Sequence, residues 1–206
     1  MPSAVLKTKL GMRVLDVGGS AAGDRSGAFI PISDIEPTRA TFGGFSGSFT
    51  PAALATDVFQ LIGSATKLIR LKAIYISGTS TTASNIIVNI ILRTAANTGG
   101  TAVAITPGRH DSNDDAVSAT LQSFSANPSG LGAGATIRGG RLNLAPAANG
   151  AIDRLLFDWS WHNDKSPILQ SAAQSVVVNL GGAAVPVGAS LDISCEWTEE
   201  ALETVL

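Results

Sequence analysis

Residues 191–197 read Leu-Asp-Ile-Ser-Cys-Glu-Trp, an unbroken alternation of apolar and polar side chains. Successive side chains of a strand point to opposite faces, so Leu191, Ile193, Cys195 and Trp197 share one face, against a core. A helix would scatter the same residues around its circumference. Residues 154–161 repeat the pattern: Leu155, Phe157, Trp159 and Trp161 alternate with Arg154, Leu156, Asp158 and Ser160.

Working outward, the runs KLIRLKAIYIS (67–77) and SNIIVNIILR (84–93) are rich in β-branched residues and flank the turn-forming stretch GTSTTAS. Val117–Phe124, Thr136–Leu144 and Ser175–Leu180 add further strands. Asn97-Thr98-Gly99-Gly100, Asn127-Pro128-Ser129-Gly130, Asn149-Gly150 and Gly181-Gly182 separate them as turns. Thr50-Pro51 has the form of an N-cap followed by a first-turn proline, which predicts one helical turn there. About eight short strands without a long helix predict an all-β fold, an antiparallel β-sandwich over residues 51–206 of the jelly-roll kind. An immunoglobulin-like sandwich is the rival, but no Cys…Trp…Cys spacing supports it.

Residues 1–50 lack sustained periodicity. Their apolar positions, Val5, Leu6, Val14, Leu15, Phe29, Ile30, Phe42 and Phe45, are separated by glycines. They predict an extended arm or small subdomain whose apolar side chains contact neighbouring subunits.

Hydrophobic residues make up 45% of the 206 and charged residues 15%, with a net charge of −2. A surface so poor in charge favours association, so a homo-oligomer is expected. The scattered Lys and Arg argue against nucleic acid as a partner. No apolar run reaches the length of a membrane span, and the N-terminus lacks a signal-peptide core. The single Cys195 excludes an internal disulfide and reads as a small buried hydrophobe.

The densest group of chemical side chains is RHDSNDDAVSAT (109–120), where His110 is followed by Asp111, Asp114 and Asp115. Counted from Asp111, a calcium loop of the EF-hand kind would need Gly at position 116 and Glu at 122. Ala116 and Gln122 stand there instead. A zinc site would want a second nearby histidine, and His162 lies in another loop. Asx-turns between strands are the favoured reading, with a weak cation site as the alternative. The glycines of residues 130–134 lack the Lys-Ser/Thr of a phosphate loop, and GGFSGS (43–48) lacks nucleophile-elbow spacing. Asp158 and Asp164 flank His162 at a strand end. No catalytic residue, metal ligand or cofactor is expected from these patterns.

From about Thr56 to Glu199 the chain resembles a group of structural proteins of tailed bacteriophages. The likeness is carried by TDVFQLIGSATKLIRLKAIYISGT, LRTAANTGGTAVAI, RHDSNDDAVSATLQSFSANPS, DRLLFDW, SAAQSVVVNLGG and LDISCEWTEE. The resemblance implies a virion component, made in the bacterial cytoplasm, and supplies no catalytic residues. It implies a capsid decoration or cement protein, commonly trimeric, whose partners are the major capsid protein or other virion subunits. A tail or fibre component that binds the host surface is the alternative, and a tail-associated glycan hydrolase is a third.

Overall fold

The computed structural model describes residues 39–150, 152–159 and 165–202. Val5, Leu6, Val14, Leu15, Phe29, Ile30, Trp161, His162 and Asp164 lie outside them. Met1–Arg39 and Ala40–Leu206 are separate units, and almost all of the described residues belong to the second. Its strands are β1 (Ala40–Phe45), β2 (Asp57–Ile62), β3 (Lys67–Thr79), β4 (Ser84–Arg93), β5 (Thr101–Ile105), β6 (Gly108–Arg109), β7 (Thr120–Ala126), β8 (Gly134–Leu144), β9 (Arg154–Asp158), β10 (Ile168–Leu169), β11 (Ser175–Asn179) and β12 (Ser190–Ala201).

They form two antiparallel sheets, a β-sandwich. The first sheet runs β3-β12-β1-β6, with β9 and β10 both on the free side of β3. The second runs β5-β7-β2-β11-β4-β8. Pairing is nested along the chain: β1 pairs with β12, β2 with β11, β3 with β9 and β4 with β8. Long-range pairs between the two halves of the chain therefore hold every central strand.

The alternation in residues 191–197 is met in full. Leu191, Ile193, Cys195 and Trp197 are all completely buried. In β3 the parity changes midway: Ile69 and Leu71 are core residues, and so are Ile74 and Ile76. The change falls where Ala73 pairs with Glu196 but Leu71 pairs with Trp197, leaving Lys72 as the extra residue of a bulge. Its carbonyl accepts the N–H of Trp159 at 2.9 Å. The bulge keeps both halves of this long strand pointed at one core.

Three expectations are corrected. Phe42 is not an arm contact: it is wholly buried, sits opposite Trp197 in the register, and its ring stacks on Trp197 with centroids 6.0 Å apart. Strand β1 lies inside the first sheet, so the boundary of the folded unit falls near residue 40 rather than 50. Two glycines obscured this strand. Gly44 faces the core at a point where an added Cβ would collide with the Leu121 side chain of β7, so it permits close approach of the two sheets. The helical turn expected at Thr50-Pro51 is also absent. The backbone of this segment bonds across space instead, Val185 N–H to Ala53 O, Gly182 N–H to Ala55 O and Leu180 N–H to Thr56 O, at 2.8, 3.0 and 2.8 Å. Among the described residues the only helical piece is a 3-10 turn at Ala147–Asn149.

The outer face of the second sheet is covered at its middle, over β2 and β11. Val176 and Val178 of β11 join the core, so Ser175, Val177 and Asn179 alternate to the far side, yet these three are also buried. The cover is the pair of connections 94–100 and 127–133, joined where Thr94 N–H meets Ala133 O at 2.8 Å and Thr98 N–H meets Gly130 O at 3.0 Å. Beneath them Asp57, fully buried, takes both Nε and Nη2 of Arg93 at 2.6 and 2.7 Å. Asn97 Nδ2 and Asn179 Nδ2 each donate to it at 2.7 Å, and Arg93 Nη1 donates to Gly132 O. A buried carboxylate is tolerable only with its lone pairs occupied, and here four donors occupy them.

Candidate functional site

Among the described residues no such cover lies over the outer face of the first sheet. Register places Phe45 opposite Ser194, Ser194 opposite Tyr75 and Tyr75 opposite Leu156. These four therefore form one transverse row over β1, β12, β3 and β9. The next row is Asp192, Ser77 and Arg154. Phe45 is 60% exposed and Leu156 45% exposed, high values for apolar side chains in mid-sheet. Phe45, Tyr75, Ser77, Arg154, Asp192 and Ser194 line an open groove of about 460 Å³.

The groups in the groove hold one another in place. The Arg154 guanidinium lies over the Tyr75 ring, 5.4 Å from its centroid. Ser48 Oγ donates to Asp192 Oδ1, fixing the carboxylate at one end. Partial burial, with the charges of Glu196 and Asp158, pushes the Tyr75 phenol above its ordinary pKa, and Arg154 works in the opposite direction. The face thus offers aromatic surface, a carboxylate acceptor, a guanidinium donor and two hydroxyls. Phe45 was expected among the contacts of an arm. It is the last residue of β1, and its side chain remains largely exposed.

The aspartate-rich loop is occupied with its own backbone. Asp111 Oδ1 accepts the N–H of Asn113 at 2.9 Å, an Asx-turn, and its carbonyl accepts Asp114 N–H at 3.2 Å. Arg109 Nη1 donates to Asp114 O, and Lys67 Nζ reaches Asp115 at 3.0 Å. His110 anchors the loop to β1 by donating its backbone N–H to Thr41 O at 2.9 Å. Among the described residues no three His, Cys, Asp or Glu side chains converge as metal ligands would.

The remaining sequence candidates are structural. Ser46 Oγ donates to Gly47 O and accepts Ile193 N–H, tying β1 to β12. Gly130 and Gly132 serve the cover over the second sheet through their carbonyls. Cys195 is buried, and burial pushes its thiol far above the ordinary range, out of reach of nucleophilic chemistry.

Sequence reasoning missed the two fully engaged carboxylates. Besides Asp57, Glu199 accepts from Ser118 N–H, Ser118 Oγ, Ala119 N–H and Trp197 Nε1 at 3.0, 2.6, 3.1 and 3.1 Å. It pins the end of the aspartate loop to β12. No local pattern marks either residue, because every partner of Asp57 and most of those of Glu199 are distant in the chain. No family model, curated protein or solved structure matches the chain.

Proposed function

We propose that this chain is a non-enzymatic structural protein of a phage virion, a capsid decoration or cement protein that stabilises the head lattice. Its fold is read as a jelly roll, the double-sheet architecture common among viral coat domains. One observation carries this reading. Taking β1, β2, β3, β4, β8, β9, β11 and β12 as the eight strands, first pairs with last, second with seventh, third with sixth and fourth with fifth. That nesting is what wrapping one long antiparallel ribbon around a core produces. Strands β5, β6 and β7 then form an insertion between the fourth and fifth strands.

The sheet edges support assembly. β5 closes one side of the second sheet with the uncharged sequence Thr-Ala-Val-Ala-Ile, and its first four residues are exposed. An uncharged, open edge is a template for strand addition, which natural sequences usually block with charge or proline. In this reading the apolar pairs Val5-Leu6, Val14-Leu15 and Phe29-Ile30 of one copy supply the added strand to a neighbouring copy or to the major capsid protein. The assembly is a homo-oligomer, read as a trimer, on the virion surface. Many weak copies acting together would reinforce the shell.

The test is rebinding to stripped capsids by the full chain and by a chain beginning at Ala40. The shortened chain should fold and bind poorly. Equal binding by both removes the arm as anchor. Hundreds of copies per particle support a head position, whereas a few to a few dozen favour the tail or fibre reading, for which the open groove on the first sheet is the one specific observation.

A further inference from the structure

The geometry points to a carbohydrate-binding groove on the outer face of the first sheet, for a neutral mono- or disaccharide unit of a surface glycan. The inference rests on the groove alone and goes beyond the virion role.

A sugar ring presents an apolar C–H face and a rim of hydroxyls, so it needs aromatic surface beside mixed donors and acceptors. Phe45 and Tyr75 lie two strands apart in one row, with Ser194 between them. Adjacent strands are about 4.8 Å apart, so the two rings stand about 10 Å apart, space for a disaccharide that stacks on the exposed Phe45 ring and reaches Tyr75 beside the Arg154 guanidinium. C–H groups over an aromatic face make weak but additive contacts. The flanking row places the Asp192 carboxylate to accept hydroxyl protons and Arg154 to donate to hydroxyl oxygens, with Ser77 able to do either.

These groups are set before any ligand arrives. Ser48 orients Asp192 and the Tyr75 ring orients Arg154, so little side-chain freedom remains to be lost on binding. The charge balance selects the ligand class. Asp192 and Arg154 offset each other, while register sets Glu196 and Asp158, both paired with Ala73, in the row on the other side of Ser194, Tyr75 and Leu156. The local field therefore disfavours an anionic sugar. A protein partner fits less well, since a stable interface needs about 800 Å² per side with an apolar centre. Here the apolar surface is a single row, interrupted by Ser194 and bordered by charge.

Tyr75 is the chain's only tyrosine, which gives a direct readout. The full chain, labelled with 13C at tyrosine, would be titrated with lactose, cellobiose, maltose and N,N′-diacetylchitobiose, and with 3′-sialyllactose as the anionic comparator. At least one neutral disaccharide should shift the Tyr75 ring signals saturably, with a millimolar Kd. Asp192→Ala and Arg154→Ala should each weaken that binding about tenfold or more, as expected for loss of a hydrogen bond to a charged group. Both substitutions are on an open face, and an unchanged circular dichroism spectrum confirms the fold. The inference is overturned if no neutral sugar in the panel gives a saturable shift, if the shift survives both substitutions, or if sialyllactose binds more tightly than lactose. Broadening of Tyr75 that grows with protein concentration, without a sugar response, would assign the face to a second copy instead. None of these outcomes bears on capsid rebinding, so the two readings fail separately.

Discussion

The two sheets of the sandwich treat their outer faces in opposite ways. The second sheet buries the middle of its outer face, over β2 and β11, under two connections, with a carboxylate, a guanidinium and two amides locked together beneath them. The first sheet leaves an aromatic row and a charged row open. Both faces carry an aspartate and an arginine. Burial separates them: Asp57 and Arg93 have exchanged water for fixed partners, while Asp192 and Arg154 remain able to exchange partners with a ligand. A charged pair under cover serves the fold, and a charged pair on an open face is available for binding.

That contrast breaks first at Asp57. Asp57→Ala leaves the Arg93 guanidinium buried without its partner, and should cost about 3–5 kcal/mol in denaturant titration. A loss below about 1 kcal/mol would mean that the cover opens and hydrates at little cost, making the two faces alike. Cys195 supplies an independent reading of the same transition, because its buried thiol should react with thiol reagents only as the protein unfolds.

The opposite substitution tests the open face. Tyr75→Ala should change stability by no more than about 1 kcal/mol, since most substitutions away from the core are mild. A cost comparable to that of Asp57→Ala would show that the row is a structural element. The smallest expected effect sharpens the contrast through charge. The Tyr75 phenol should titrate above about 10, read by absorbance near 295 nm. Glu196→Gln should lower the midpoint and Arg154→Ala should raise it, from the directions of their influence. The raised value means that the folded chain holds this proton more tightly than the unfolded chain. Its contribution to stability is therefore complete below the unfolded pKa and lost as pH rises through the folded one.

Much of the fold is legible in the sequence, and the reasons differ by residue. Strand β4 matches its expected limits, Ser84–Arg93, because β-branched residues fill it and turn formers bound it. Trp159 and Trp197 are buried as their alternation requires. Strand β1 escaped because Gly43 and Gly44 resemble a flexible link, although Gly44 is needed for sheet contact. In the site, the Asx-turn at Asp111 follows from local spacing. The groove does not, because Phe45, Tyr75, Arg154 and Asp192 come from four strands and meet only through register.

The sequence by itself determined the all-β class, the inward set on most strands and the turns between them. These depend on a two-residue period and on local backbone preferences, both written within a few positions of each residue. The tertiary structure alone decided which strands pair, which outer face is covered, and which carboxylates are engaged. Those outcomes depend on contacts such as Asp57 with Asn179 and Phe45 with Ser194, between residues more than a hundred positions apart, and no local pattern encodes them.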